Sequence, residues 1–179
     1  MEPLIKVTKS ALEGVLQITF PIFSDDRGFF KEIIRIGEVE KALDGKFIVK
    51  QVNHARSTKN TLRGIHVAPW NKLIYVTRGT VQEVIVDLRK GSSTFGKYES
   101  IILGDSNRSC IFVPAYCGNS YLVLSDYVDY VYLTDQEWAP NREKAITWND
   151  PTLAINWELK EEPILSEKDK NNPPLDKCE

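Results

Sequence analysis

Between Thr61 and Arg89 the chain reads TLRGIHVAPWNKLIYVTRGTVQEVIVDLR, which gathers an arginine, a histidine and a lysine around strand-like runs. His66 is one of two histidines, and Lys72 stands at the head of the apolar run LIYVT. A neutral imidazole titrates close to working pH and can take a proton from carbon or oxygen. The same residue would serve as a hydrogen-bonded core histidine, so His66 needs partners before it reads as a base. Arg27, Arg63 and Lys72 are far apart in sequence. Strands of a small barrel can converge them on a pocket suited to a diphosphate, or leave them as surface cations at strand ends. Gln51 and Asn53 alternate with Val52 and therefore share one face of a strand. Unpaired amides inside a barrel are costly, so these two either pair with each other or bind something polar. In YLVLSDYVDYVYLT, Tyr130 and Tyr132 fall on one face and Val131 on the other. A tyrosine hydroxyl aimed into a pocket can act as a general acid, although most tyrosines in such runs are packing residues.

The elements that must hold these groups are mostly strands. Short β-branched and aromatic runs recur between Gly, Asn, Asp and Pro at residues 15–20, 47–53, 72–77, 81–87, 98–103, 109–113, 120–124 and 127–134. About eight strands is the range that closes into a barrel or doubles over as a jelly roll. Arg78 and Gly79 read as a tight hairpin, with the glycine supplying positive φ. The one helical piece is GEVEKAL, residues 37–43. Beyond Pro140 the pattern gives way to turns and short helices draped over the barrel. Trp148, Ile155 and Trp157 would be costly to leave in water, so much of this tail is expected to dock.

Composition removes several classes of function. The 179 residues suit one domain, spanning 1–179, with room for an apolar core. A net charge of -2, from 23 basic and 25 acidic residues, gives no general case for duplex nucleic acid. Three cysteines, Cys110, Cys117 and Cys178, lack zinc-type spacing and are odd in number, so neither a disulfide framework nor a structural metal is expected. His54 and His66 lack a close third ligand, and no catalytic metal is expected either. The opening MEPLIKVTKS has no long apolar core, and no later run approaches the roughly 20 apolar residues of a membrane span, so the default is a cytoplasmic protein. There is no GxGxxG, P-loop, GxSxG or CxxC, so dinucleotide, Walker and nucleophile-elbow readings have no footing.

Read as a set, the motifs resemble the dTDP-4-dehydrorhamnose 3,5-epimerase family. They are FSDDRGFFKE at 23–32, QVNHARSTKNTLRGIH at 51–66, Lys72, VDLRKGSSTFGKY at 86–98 and IFVPAYCGNSYLVLS at 111–125, followed by VYLTDQEWAP, ITWNDPTLAINW and ILSEKD. The resemblance runs from about residue 10 to 175, and the combination of RGFF, LRGIH and LSEKD is more specific than any one piece. It implies an all-β, cupin-type jelly-roll barrel with short C-terminal helices. It also implies a homodimer that works without metal or organic cofactor on a nucleotide-diphospho-4-keto sugar. By position, His66 would be the base, Asp169 its orienting carboxylate, Tyr132 the acid on the opposite ring face and Lys72 the cation stabilising an enolate. Arg27, Glu32, Gln51, Asn53 and Arg63 would hold the diphosphate and sugar, and Trp138 would lie against the nucleotide base.

Two departures from the family pattern stand out. The loop HVAPWNK is compact and lacks the usual Phe-Gln, and Asn119 of CGNSY occupies the place of a usual histidine. Such segments are similar to those of relatives acting on GDP-linked 4-keto-heptoses. The implied reaction is inversion at C3, C5 or both of a 4-keto-6-deoxy sugar, for surface polysaccharide or deoxysugar synthesis. Its rivals are a 3,4-ketoisomerase and a catalytically silent sugar-binding cupin.

Overall fold

Short apolar runs, many of them buried along their whole length, shape the chain. In the computed structural model, which describes residues 5–178, it resolves into β1 (Lys6–Lys9), β2 (Leu16–Thr19), β3 (Ile22–Asp25), β4 (Gly28–Lys31), α1 (Ile36–Leu43), β5 (Gln51–Thr58), β6 (Leu62–Val67) and β7 (Lys72–Arg78). There follow β8 (Thr80–Asp87), β9 (Tyr98–Gly104), β10 (Cys110–Val113), β11 (Cys117–Val123), β12 (Tyr127–Thr134), β13 (Lys144–Ala145), α2 (Glu167–Lys170) and a 3-10 turn at Leu175–Lys177. One antiparallel sheet runs β1-β2-β10-β7-β12-β5 and a second runs β13-β6-β11-β8-β9. From β5 to β8, and again from β9 to β12, successive strands switch sheets. The result is the expected cupin-type jelly roll.

The two sheets enclose the main core, where Ile74, Val76, Ile111 and Val128 of one meet Val81, Ile85, Tyr121 and Val123 of the other. Both sheets are covered outside as well. Leu73 and Tyr75, on the opposite face of β7, pack with Phe47, Phe112 and Val39 of α1. The chain after Pro140 lays Ile146 and Leu153, with half-buried Ile155 and Trp157, on Ile65, Val67, Val84 and Val86. Trp157 donates from Nε1 to the Trp148 carbonyl at 2.9 Å, so the tail is docked as its aromatic content requires. Cys110 and Cys117 are buried fillers of these clusters, and all three thiols are free.

The turn at Arg78 and Gly79 is not a hairpin. β7 pairs with β10 and β12, whereas β8 pairs with β9 and β11, so Gly79 marks a corner between sheets. Its φ is +86°, as expected, and a Cβ there would stand 2.2 Å from the Tyr127 carbonyl oxygen. The strand expected at 47–53 begins only at Gln51 and runs on to Thr58. A separate two-stranded ribbon, β3 with β4, exposes Ile22, Phe23, Phe29 and Phe30. No helix among the described residues is long and apolar enough to cross a membrane.

Candidate active site

A cavity of about 220 Å³ opens between the two sheets, and β6 forms one wall of it. Strand geometry alone would send Arg63 and His66 to opposite faces, because they are three residues apart. Both line the cavity. The explanation is a bulge: His66 lies opposite Asn119 and Arg63 opposite Tyr121, so three steps of β6 match two of β11. Gly64, with φ +112°, lies inside this irregular stretch. Arg63 is steadied by donating from Nε to Ser57 Oγ at 3.0 Å.

His66 sits between two carboxylates. Its Nε2 lies 3.1 Å from Asp169 Oδ1, and its Nδ1 lies 3.4 Å from Glu143 Oε2. Asp169 is the third residue of α2, and the Ser166 side chain caps that helix by accepting from the Asp169 N–H at 3.0 Å. Ser166 Oγ also donates to Asp169 Oδ2 at 2.9 Å and Asn172 Nδ2 donates to Oδ1 at 3.2 Å, so the carboxylate is locked. Burial opposes a charged imidazole, but the two carboxylates outweigh it and His66 titrates above the usual histidine value. Burial likewise opposes a charged Glu143, yet His66, with smaller help from Lys168 and Lys72, brings it down to about 2. Glu143 was not singled out by sequence. It lies in the charged stretch NREKAI, and only its place beside β13, which pairs with β6 at His66, reveals it.

The facing sheet supplies Lys72 from β7 and Tyr132 from β12. Lys72 is 5% exposed and donates from Nζ to Asn119 Oδ1 at 2.6 Å, a bond that ties the two sheets together. Burial pulls Lys72 down to about 8, against the attraction of Glu143 and Glu83. Tyr132 is half-buried beside Tyr130, whose ring centroid is 6.2 Å away, and both line the cavity as their shared face requires. Burial raises the Tyr132 hydroxyl, and Glu143 raises it further.

Gln51 and Asn53 pair with each other, the first reading of their alternation. Gln51 Nε2 donates to Asn53 Oδ1 at 2.7 Å, and both line the cavity. Gln51 Oε1 also accepts from the Trp138 backbone N–H at 2.8 Å, setting the half-exposed Trp138 ring at the cavity mouth. Arg27 and Glu32 lie elsewhere. Arg27, in the β3–β4 turn, pairs with Asp25, and Glu32 pairs with Arg35. Within one chain Arg63 and Lys72 therefore converge, and Arg27 does not join them. His54, on the other face of β5 from Asn53, pairs with Asp129 at 2.8 Å.

A jelly roll with an imidazole held between carboxylates on one sheet, and a lysine and tyrosine on the other, has the parts of a proton-transfer enzyme. Comparison with known proteins defines it further. A family model described as dTDP-4-dehydrorhamnose 3,5-epimerase matches residues 9–177, and the chain belongs to that family of epimerases. The dTDP-4-dehydrorhamnose 3,5-epimerase of Pseudomonas aeruginosa is 40% identical over 169 residues, covering 93% of each chain. A dTDP-6-deoxy-D-glucose-3,5-epimerase from Legionella pneumophila, solved with dTDP-4-keto-L-rhamnose, superposes with TM-score 0.94 at 32% identity, covering 98% of this chain and 95% of that one. A 3'-monoepimerase from Streptomyces bikiniensis, solved with dTDP-quinovose, superposes with TM-score 0.88 at 35% identity, covering 98% and 88%.

Proposed function

We propose that the chain inverts C3 and C5 of a dTDP-linked 4-keto-6-deoxy hexose, as a step of deoxysugar and surface polysaccharide synthesis. The observation that carries the mechanism is the placement of the base on one sheet and the acid on the other, with Lys72 lining the same cavity. A C4 ketone acidifies the protons on C3 and C5. Asp169 accepts from His66 Nε2–H and so fixes the tautomer of the neutral imidazole in which Nδ1 carries the lone pair that takes the proton, the resulting imidazolium being stabilised by Glu143 at 3.4 Å. The electron pair of the broken C–H bond moves onto the ketone oxygen, and the Lys72 ammonium stabilises the enolate, a contribution on the order of a few kcal/mol. Tyr132 returns a proton to the opposite ring face and inverts the centre. The His66 imidazolium then gives its proton to water and the Tyr132 phenolate takes one from water, so both are ready for the second carbon. Arg63, Gln51 and Asn53 bind the polar groups of the substrate, Asn119 holds Lys72 in place for it, and Trp138 stacks on the nucleotide base.

The same proposal includes a homodimer of single-domain chains in the cytoplasm. β5 is an edge strand of the six-stranded sheet, and the β3–β4 ribbon exposes Phe23 at 51% and Phe30 at 68%. Exposed edges and apolar ribbons are usually covered. A ribbon exchanged between two copies would cover both and carry Arg27 and Glu32 to the partner's cavity, where they would bind the diphosphate and sugar.

The test is product analysis by NMR after incubation with dTDP-4-keto-6-deoxyglucose, with a GDP-linked 4-keto-heptose in parallel. Inversion at C3 and C5 of the dTDP sugar supports the proposal. A 3-keto product would make the protein a ketoisomerase, binding without conversion would make it a silent sugar-binding cupin, and turnover of the GDP sugar alone would overturn the nucleotide assignment.

A further inference from the structure

Glu83 of β8 is a fully buried carboxyl group that the steps above do not use. Tyr130 Oη donates to its Oε2 at 2.9 Å, and Asn119 Nδ2 approaches its Oε1 at 3.4 Å. The other end of the same amide, Asn119 Oδ1, accepts from Lys72 Nζ at 2.6 Å. An ammonium only donates and a carboxylate only accepts, so the two poles fix which way Asn119 faces. Its oxygen must turn to Lys72 and its nitrogen to Glu83. The result is a buried cation and a buried carboxylate, one on each sheet, separated by a single amide. Neither charge would persist alone in so dry a place.

We propose that Glu83 is the counter-charge of Lys72, coupled to it through Asn119, and that it keeps Lys72 an ammonium at the cavity. Glu83 does not line the cavity, so it is a positioning residue rather than a catalytic one. The inference rests on the reading of Lys72 as the cation that receives the enolate. The charged and titratable groups that bear on Lys72 are Glu143 and Glu83, with Tyr130 and Tyr132 on the neighbouring β12. Glu143 is already committed to His66 at 3.4 Å and to Lys168 at 3.3 Å. Lys72 is the cation that acts on Glu83. Burial pulls Lys72 down and pushes Glu83 up, and each charge opposes the other's shift. Removing the Glu83 charge therefore takes Lys72 lower still.

The arrangement gives Asn119 a job that a histidine in its place would do differently. An amide cannot gain or lose a proton at these pH values, so it transmits the field between Lys72 and Glu83 without itself becoming charged.

The experiment uses Glu83→Gln, which keeps the size of the side chain and removes its charge. Lys72 is titrated by NMR in protein labelled with carbon-13 at the lysine ε-carbon, its signal assigned by loss in Lys72→Met, and kcat is measured across pH on the same samples. The Lys72 midpoint is expected to fall by about one pH unit, a tenfold change in the ratio of ammonium to amine. The alkaline limb of kcat should fall with it while KM stays within about twofold. An unchanged Lys72 midpoint, with kcat reduced equally at every pH, would overturn the inference and leave Glu83 a packing group. A lowered midpoint with an unmoved alkaline limb would support the coupling and contradict the enolate role of Lys72. Should Glu83→Gln not fold, Asn119→Leu cuts the bridge instead, and an unchanged Lys72 midpoint there would overturn the inference equally.

Discussion

Gly64 packs so closely against Asn119 that a Cβ on the glycine would stand 2.8 Å from the Asn119 carbonyl oxygen. Its φ of +112° is also one that L side chains rarely adopt. The contact holds the irregular stretch of β6 against β11 that lets Arg63 and His66 share a face. Gly64→Ala should therefore cost about 2 kcal/mol or more in stability, seen as a lowered Tm, and also most of kcat at temperatures where the variant is folded. Gly79→Ala is the control, because it strains the corner between sheets away from the cavity: Tm should fall while kcat of the folded variant is largely kept.

The two carboxylates on His66 make a prediction about pH. A base must be neutral to accept a proton, and His66 titrates above its usual value because Asp169 and Glu143 outweigh burial. The acid limb of kcat/KM should lie above about pH 6.5. Asp169→Asn and Glu143→Gln each remove a group that favours the imidazolium, so each should move that limb to lower pH. Asp169→Asn should also lower the plateau by about a hundredfold or more, because the imidazole loses its fixed tautomer. An acid limb that does not move in either variant would show that these carboxylates do not set the base.

Asp87 gives a stability test away from the cavity. It is fully buried, and Arg89 donates to it from Nε at 2.9 Å and Nη2 at 2.7 Å, with Ser92 and Thr94 adding hydroxyl donors. Burial would raise its pKa, but these partners hold it well below the usual carboxylate range. A depressed folded-state value means a contribution complete above the unfolded value of about 3.9 and lost as pH falls below it. Asp87→Asn should cost about 3 kcal/mol at pH 7. Thermal melts of the variant and the natural chain should draw together between pH 5 and the acid limit of folding.

Ribbon exchange predicts complementation. Arg27→Ala and His66→Asn should each be nearly inactive alone. Unfolded together and refolded as mixed dimers, they should regain activity, because one cavity then holds an intact His66 and the partner's intact Arg27. Mixed dimers with no more activity than the separate variants would remove Arg27 from the partner's site.

Much of this arrangement was legible in the sequence. The alternation of the sequence was enough to put Gln51 with Asn53, and Tyr130 with Tyr132, on a shared face, because a strand's period of two survives whatever the strand pairs with. β6 was not readable as a strand, since its bulge breaks that period at Gly64. The Gly79 turn was legible in its φ but not in its partners: local residues specify how sharply the chain bends, and distant ones decide which sheet each arm joins. Glu143 left no signal, because a carboxylate among NREKAI looks like solvated charge until β13 is laid beside β6. Arg27 and Glu32 were named by motif alone, and within one chain they pair with Asp25 and Arg35 instead of lining the cavity.

On the proposed function, His66 and Tyr132 move protons to and from two carbons of one 4-keto sugar. The most direct measurement is deuterium uptake from heavy water into dTDP-4-keto-6-deoxyglucose, followed by mass spectrometry and located by NMR. Two deuterons, at C3 and C5, are expected with the natural chain and none with His66→Asn. Uptake at one carbon alone would contradict the double inversion, and undiminished uptake in His66→Asn would contradict the assignment of the base.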